Sequence, residues 1–445
     1  MSECSCKLDV YQDDKCVLHC EKKKDDWYTV NDDGTKNWKP EKVKEFWKEI
    51  RRVIKKQDDS VIFFNYYFKS VYFPKFEKSG LANASDYTHN SFFEKGKVKE
   101  FNQLLRLKKC VFLDEEYLKD IKFNQGLYFD ECEFLNGLDF SYRSFVNNQK
   151  VRIQNCPKII NANFKNTTFN DLADFYNTTF ISAEDTFHKT NFQDISVFTK
   201  CTFRNSINFK YTTFEKLSQF KETTFEQEVN FEDAIIKDKI NFLGIKKDDK
   251  KSDIKVVNRE TARIIKHSFE KQDNIIEANK FYAVEMKKQE GELKWGTDFA
   301  EKLIFKFHKI SSNHSQDWLL VLLWILNITF VYSAFQQDIF INEKWLLFGF
   351  FLIGFIITVI ECTAFLEIRK KYKMLFFLLF GIISYMFYSL VTSDNTLYCV
   401  SNDLNPFSIM NSSNKLTFTT LVYKVAIAYL IYQLIVSIRQ NTRRK

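Results

Sequence analysis

The N-terminus holds a group of residues whose types and spacing suit metal chemistry. The sequence reads Cys-x-Cys, nine residues, then Cys-x-x-His-Cys, and the side chains are those of Cys4, Cys6, Cys16, His19 and Cys20. Closely spaced thiolates and imidazoles are the usual ligands of tetrahedral structural zinc. We expect a structural zinc site at residues 1–24, held by Cys4, Cys6, Cys16 and Cys20, with His19 as an alternative ligand. The competing interpretation is a set of unpaired thiols.

No other group of residues in the sequence has the spacing of a catalytic site. The chain lacks a glycine-rich phosphate loop, a nucleophile elbow and an HExxH motif, and its 6 histidines are scattered. Most carboxylates of the central region are expected to face solvent. The sequence therefore predicts a protein that is not an enzyme.

The central region repeats a phenylalanine every five or six residues, with one longer step from Phe180 to Phe187. Positions five or six apart lie on opposite sides of a helix, and a flat strand requires a period of two. A chain that turns a corner after each phenylalanine and stacks coil on coil fits this spacing. The rings expected in the interior belong to Phe164, Phe169, Phe175, Phe180, Phe192, Phe198, Phe203, Phe209, Phe214, Phe220, Phe225 and Phe231.

The residue two positions before each phenylalanine is mostly small or β-branched, as at Ala162, Thr167 and Ala173. This small-x-Phe-x-x pattern resembles the pentapeptide-repeat family over residues 112–244. The resemblance implies a right-handed, quadrilateral β-helix with about twenty residues in each coil. Every second repeat here has a sixth residue, which we expect to bulge at a corner, and Arg143 and Asp185 occupy positions meant for small side chains.

The C-terminal region contains four apolar runs long enough to cross a bilayer core about 30 Å thick. They lie at residues 318–335, 345–365, 374–391 and 417–438. Lysine and arginine concentrate after the second run and in the C-terminal tail, whereas the other two loops are poor in both. Positive residues favour the cytoplasmic side. We expect a multi-pass protein of the cell inner membrane with both termini cytoplasmic.

Two ionisable residues, Glu361 and Lys424, fall inside these runs. A charge within a membrane helix is costly, so it indicates either a conduction pathway or a buried structural partner. Before the first run, residues 298–310 carry apolar side chains on one side and lysines on the other, the pattern of a helix in the lipid headgroup layer. Residues 277–286, EANKFYAVEM, resemble an element that follows the repeats in membrane-anchored bacterial pentapeptide-repeat proteins.

The sequence thus predicts a mixed fold with five parts: a zinc-knuckle-like segment (1–24), an α/β N-terminal cap region (25–111), the repeat β-helix (112–244), a helical neck with an interfacial helix (245–315) and a four-helix transmembrane domain (316–445). We expect a bacterial scaffold or sensor that binds a cytoplasmic protein, is held in the lipid bilayer and forms a homo-oligomer. Nucleic acid is a less favoured partner, although the net charge is +8. The alternative is an oligomeric pore or transporter-like effector gated by the solenoid.

Overall fold

The computed structural model describes residues 10–12, 14–59, 65–76, 92–93, 100–114, 118, 121–181, 184–247, 254–336, 344–392, 394–405 and 417–442. The chain divides into two compact units, residues 1–272 and 273–445. We call them the solenoid unit and the helical unit. The predicted β-solenoid followed by an apolar helical region is confirmed.

Stacked parallel sheets form the sides of the solenoid unit. The eight-strand sheet contains Asn65–Lys69, Leu104–Lys108, Leu127–Asp130, Val151–Gln154, Ala173–Asp174, Ser196–Val197, Ser218–Gln219 and Ile240–Asn241. The seven-strand sheet contains Tyr72–Phe73, Val111–Phe112, Glu133–Phe134, Lys158–Ile160, Thr179–Ile181, Thr202–Phe203 and Thr224–Phe225. The sheets include strands before residue 112, so the coils begin within the stretch that the sequence had indicated as a cap region.

Shorter parallel sheets complete the coils. The five-strand sheet contains Ser144–Phe145, Thr168–Phe169, Asn191–Phe192, Thr213–Phe214 and Ile235–Ile236. A three-strand sheet contains Ile207–Asn208, Glu228–Asn230 and Lys255–Val256. Two pairs are Leu138–Asp139 with Ala162–Asn163, and Glu100–Phe101 with Lys122–Phe123. Two antiparallel pairs, Val10–Gln12 with Lys15–Cys16 and Tyr28–Val30 with Lys36–Trp38, precede the coils.

Between Phe164 and Phe231, each five-residue step has a left-handed residue two positions after its phenylalanine, as at Asn166 and Lys200. The six-residue steps that alternate with them contain no left-handed residue, so the sixth residue does not form these corners. Most residues in register are 22 to 24 apart, as from Leu127 to Val151, from Ala173 to Ser196 and from Ser196 to Ser218. Left-handed residues form two series at the same interval. One is Lys109, Glu131, Asn155, Asn177, Lys200 and Glu222, and the other is Tyr142, Asn166, Lys189, Tyr211 and Asp233.

Asparagine or aspartate side chains fix these corners from three residues earlier. The side-chain oxygens of Asn163, Asn208 and Asp174 each accept a hydrogen bond from the backbone N–H two residues ahead, at 2.9–3.1 Å. Such bonds imitate a backbone turn and favour these residue types at corners. Gly126 has φ +96°, and a Cβ there would lie 2.2 Å from the carbonyl oxygen of Lys150, so only glycine fits.

The interior of the solenoid unit combines stacked rings with hydrogen-bonded hydroxyls. The twelve phenylalanines expected inside are at most 1% exposed. The ring of Phe198 stacks on those of Phe175 and Phe220, with centroids 5.1 and 4.6 Å away. Between the rings, Thr178 Oγ1 donates to the carbonyl of Ile153 at 2.7 Å, and equivalent bonds recur from Thr190, Thr212 and Thr223. Small residues here therefore also satisfy backbone acceptors.

The two irregular repeats are accommodated in different ways. Asp185 lies on the surface in a short 3-10 helix, Glu184–Phe187, and Thr186 takes the buried position beside it. Arg143 donates hydrogen bonds to the carbonyls of Leu118 and Ile121. Its guanidinium lies over the rings of Phe123 and Phe145, 4.8 and 4.7 Å from their centroids. Its charge is thereby stabilised at a position where a small residue was expected.

Helices cover both ends of the stack. At the first coil, α1 (Pro40–Asp58) buries Val43, Phe46, Trp47, Ile50 and Ile54. The Gln57 amide donates to the carbonyl of Tyr67 and accepts from its N–H, at 3.1 and 3.2 Å. At the last coil, Ser268 on α2 (Arg259–Lys271) and Gln272 just after it donate to the carbonyl of Ile240. These side chains occupy backbone groups that an edge strand would leave open.

The helical unit contains seven helices within its described residues: α3 (Ile275–Glu292), α4 (Phe299–Ser312), α5 (Trp318–Gln336), α6 (Lys344–Glu367), α7 (Lys373–Thr392), α8 (Tyr398–Leu404) and α9 (Phe418–Thr442). In the part of the chain whose placement is described, α5, α7 and α9 are long and apolar enough to cross a membrane. The described residues thus give three candidate spans where four were predicted. The predicted second span coincides with α6, where the side chains of residues 344–348, 350 and 351 lie outside the description.

The turn between α4 and α5 holds three consecutive left-handed residues, Asn313, His314 and Ser315, with φ of 49°, 55° and 63°. Non-glycine residues pay about 1–2 kcal/mol each for this conformation. Ser315 offsets the cost by donating to the Gln433 side-chain oxygen at 3.2 Å, and its hydroxyl lies 3.0 Å from His308 Nε2. This turn therefore ties α4 and α5 to α9.

Candidate functional site

Of the predicted zinc ligands, Cys4 and Cys6 lie outside the described residues. Cys16 and Cys20 lie one turn apart, because the Cys20 N–H donates to the Cys16 carbonyl, and both thiols are buried. Cys16 Sγ lies 3.0 Å from His19 Nδ1, whereas His19 Nε2 lies 3.0 Å from the carbonyl of Lys69. The described residues contain no group of three or more potential metal ligands. Within its described residues, the segment thus brings together the thiol pair of Cys16 and Cys20 but no third ligand.

A buried lysine, Lys22, adjoins this thiol pair. Its ammonium donates to the carbonyls of Val17 and Cys20 and lies 3.5 Å from Cys20 Sγ. Burial raises the pKa of the Cys20 thiol, and the Lys22 charge opposes that shift. Burial also lowers the pKa of Lys22 to about 8. The ammonium is placed to stabilise negative charge on Cys20, as a metal-bound thiolate would require.

On the outer surface of the eight-strand sheet, four residues in register form what we call the Tyr–Arg column: Tyr67, Arg106, Tyr128 and Arg152. The Arg106 guanidinium lies over the rings of Tyr67 and Tyr128, 5.9 and 4.9 Å from their centroids. Tyr67 is 39% exposed, and the other three are partly exposed. Strands about 4.8 Å apart hold these side chains in a row about 14 Å long.

Arg106 carries unused hydrogen-bonding capacity within this column. Its Nε is buried and has no hydrogen-bond partner among the described residues. A buried donor left unpaired costs about 1–3 kcal/mol. The nearby carboxylate of Asp130 is already bound by Lys108 at 2.9 Å and by Asn155 at 3.0 Å. The column therefore presents two aromatic rings and two guanidiniums that are at least partly exposed.

Sequence reasoning missed the Tyr–Arg column. Its members are 22 to 39 residues apart, because the first two strands of this sheet are separated by a long connection and later coils vary in length. The signal available from the sequence was the recurrence of Arg106, Tyr128 and Arg152 at about one coil length. That signal requires the coil length to be known beforehand.

Glu361 and Lys424, the two ionisable residues predicted to fall within spans, lie in separate polar clusters. Glu361 on α6 accepts from Asn327 Nδ2 at 2.9 Å and from Ser384 Oγ at 3.4 Å. Lys424 on α9 donates to the carbonyls of Asp403 and Asn405 at the end of α8, at 2.6 and 3.2 Å. The C-terminal end of a helix attracts cations, so this position favours the positive charge of Lys424.

Comparison with known proteins gives one match. Residues 187–235 match the family model described as pentapeptide repeats (9 copies). No curated protein and no solved structure matches the chain. The matched stretch covers the most regular coils, in which Phe187, Phe209 and Phe231 stack with centroids 5.4 and 4.8 Å apart. The solenoid unit therefore contains pentapeptide repeats, within coils of stacked parallel strands and left-handed corners.

Proposed function

We propose that this chain is a non-enzymatic scaffold or sensor of the bacterial inner membrane, whose solenoid binds a cytoplasmic protein through the Tyr–Arg column. Tyrosine and arginine are the residue types most enriched among the side chains that dominate binding energy at protein interfaces. The stacking of Arg106 between Tyr67 and Tyr128 reduces the entropy that binding would cost. The exposed Tyr67 ring, with the Arg106 guanidinium stacked on it, is the observation that carries the proposal. Guanidiniums favour a partner that presents carboxylate or carbonyl oxygens.

Site-specific photo-crosslinking in cells tests this proposal. A benzophenone amino acid replaces Tyr128 in one variant and Thr202, on the seven-strand sheet, in the control. We expect one protein to crosslink at position 128 and not at position 202, and the crosslink to weaken with Arg152→Ala. Equal crosslinking at both positions, or none at position 128, contradicts the proposal.

The helical unit supports the membrane part of this proposal. Three helices have the length and composition of spans, and α4 exposes Phe299, Ile304 and Phe307 at 55–66% beside its lysines. We propose that the spans cross the bilayer with both termini in the cytoplasm, that α4 lies in the headgroup layer, and that the chain forms a homo-oligomer. Thiol labelling of cysteines introduced at residues 297 and 442 in intact and permeabilised cells tests the orientation. Labelling of intact cells contradicts it.

We also propose a structural zinc ion at the N-terminus, held by Cys4, Cys6, Cys16 and Cys20, with His19 as the alternative ligand. The adjacent buried thiols of Cys16 and Cys20 and the Lys22 ammonium beside them support this site. Metal analysis of the full chain in reducing buffer should find stoichiometric zinc. Cys16→Ser should lose it, whereas Cys399→Ser, which changes a partly exposed thiol of the helical unit, should retain it. A wild-type chain without zinc ends the proposal.

A second candidate function is an oligomeric pore or transporter-like effector gated by the solenoid. The carboxylate of Glu361, held by two neutral side chains within apolar helices, favours this candidate. Ion flux through liposomes containing the purified chain tests it. Flux that Glu361→Ala removes supports a pore, and a wild-type chain that conducts nothing excludes it.

A further inference from the structure

A cavity of about 180 Å³ lies between α5, α6 and α7 in the helical unit. Its lining is mainly apolar, and one end carries Asn327, Glu361 and Ser384. Its other end, about two helical turns further along α5, is lined by Ala334 and Phe335. The cavity therefore has a polar end and an apolar body.

The carboxylate at the polar end has no cationic neighbour in the cavity. Glu361 is the one ionisable carboxylate in the lining, and no lysine, arginine or histidine of the described residues lines it. Its hydrogen bonds come from the Asn327 amide and the Ser384 hydroxyl, both neutral. Glu361 is partly buried, and a charge removed from water is costly unless it is paired or neutralised. The cavity itself provides space for a positive group beside this carboxylate.

A second polar atom at the same end is unsatisfied. Asn327 is 3% exposed, and because its Nδ2 donates to Glu361, its Oδ1 is left buried without a hydrogen-bond partner among the described residues. An unpaired buried acceptor costs about 1–3 kcal/mol. The Glu361 carboxylate and Asn327 Oδ1 can thus both accept a hydrogen bond from a ligand. The Ser384 hydroxyl provides a third oxygen nearby.

We infer that this cavity binds an amphiphilic primary ammonium ion. Its three N–H groups match the oxygens of Glu361, Asn327 and Ser384, and its positive charge compensates the carboxylate. Its hydrocarbon chain fills the space lined by Phe330, Val331 and Ile383. A bare metal cation would leave that apolar body empty, and an alcohol would leave the carboxylate unpaired. Ile357 on α6 and Ile383 and Phe387 on α7 are 43–50% exposed, so such a ligand enters through the exposed surface of these two helices.

Calorimetric titration of the full chain in detergent with n-pentylammonium, corrected for empty micelles, tests the inference. We expect saturable one-to-one binding. Because a hydrogen bond to a charged group contributes about 1.5–3 kcal/mol, n-pentanol and tetramethylammonium should bind at least about tenfold more weakly. Glu361→Gln should weaken n-pentylammonium binding by a similar factor, whereas Glu367→Gln, an exposed carboxylate on the same helix outside the cavity, should leave it unchanged.

Two further variants keep the test decisive if Glu361→Gln folds poorly. Ala334→Phe fills the apolar end and keeps the carboxylate, and it should abolish binding. Asn327→Leu removes one acceptor and should weaken binding severalfold. The inference would be overturned if n-pentanol bound as tightly as n-pentylammonium, or if Glu361→Gln left n-pentylammonium binding unchanged. It would also be overturned if sodium, but not N-methylglucamine at equal ionic strength, displaced n-pentylammonium.

Discussion

The solenoid unit and the helical unit bury polar groups in different ways. Inside the solenoid, hydroxyls such as that of Thr178 donate to backbone carbonyls of the coil before, and the same bond recurs from coil to coil. In the helical unit, buried polar side chains bond to one another across helices, as Asn327 does to Glu361 and Tyr423 to Thr329. The first arrangement follows a repeated backbone. The second depends on how particular helices meet.

The largest expected difference between the units comes from the stacked rings. Phe198→Ala should lower the free energy of unfolding of the solenoid unit by about 3–5 kcal/mol, because a cavity opens between the rings of Phe175 and Phe220. Hydrogen-exchange mass spectrometry of the full chain measures this loss separately for each unit. Tyr142→Ala, which changes a 70% exposed ring at a corner, is the control and should cost little. Equal losses from both variants would contradict the stacking argument.

A pH-dependent effect should appear in the helical unit. Burial lowers the pKa of His314 to about 4, and the nearby His308 adds to the shift, while Glu290, 3.9 Å away, opposes it. The unfolded imidazole binds its proton near pH 6.5, so stability is complete above that pH and falls as the pH drops towards 4. Between pH 7 and pH 4, the wild-type chain should lose about 1–3 kcal/mol more free energy of unfolding than a His314→Gln variant does.

Thermal unfolding across this pH range measures that effect. His267→Gln is the control, because this side chain lies 60% exposed on α2 of the solenoid unit. The control should retain the wild-type pH profile. A His314→Gln chain whose profile matches the wild type would show that the histidine is not held neutral in the fold.

A matched pair of threonines separates the two kinds of buried hydroxyl. Thr178→Val leaves the Ile153 carbonyl without its side-chain donor and should destabilise the solenoid unit by about 1–3 kcal/mol. Thr358 donates to the carbonyl of Gly354, four residues earlier in α6, which the helix already uses. Thr358→Val should therefore change stability by less than about 0.5 kcal/mol. Hydrogen exchange in peptides around each site measures both changes in stability. A larger loss from Thr358→Val than from Thr178→Val would contradict the distinction between the two kinds of buried hydroxyl.

The smallest expected effect concerns left-handed residues. Lys200→Gly relieves a corner with φ 59° and should stabilise the solenoid unit by about 0.5 kcal/mol. Ser315→Gly relieves a similar φ of 63° but removes the bond to Gln433, so it should destabilise the helical unit. Denaturant unfolding followed by hydrogen exchange compares the signs. A stabilising Ser315→Gly would show that strain outweighs the bond in that turn.

The difference between the units also explains what could be predicted from the sequence. The phenylalanine spacing predicted the coils because each ring meets its counterpart one coil away. The corners were expected at the sixth residue, whereas the left-handed residues lie in the five-residue steps. The spacing of Arg106 and Tyr128 carried no meaning until the coil length was known. The cavity at Glu361 was not predictable, since Asn327 and Ser384 come from other helices and no periodicity relates them. Arg143 was an exception to the pattern, and its backbone and ring partners explain how it fits.

The side-chain amide of Gln57 pairs with the backbone of an edge strand in the first coil. A stack of parallel coils has no intrinsic end, since its last backbone groups are free to receive another chain in the same way that they receive the next coil. By pairing both backbone groups of Tyr67, Gln57 blocks the addition of another strand at this edge of the eight-strand sheet. Gln57→Ala would leave this edge open to end-to-end polymerisation, which electron microscopy would show as filaments. Their absence would assign the limit to the other contacts at this end, such as the bond from the Tyr72 N–H to the Leu18 carbonyl.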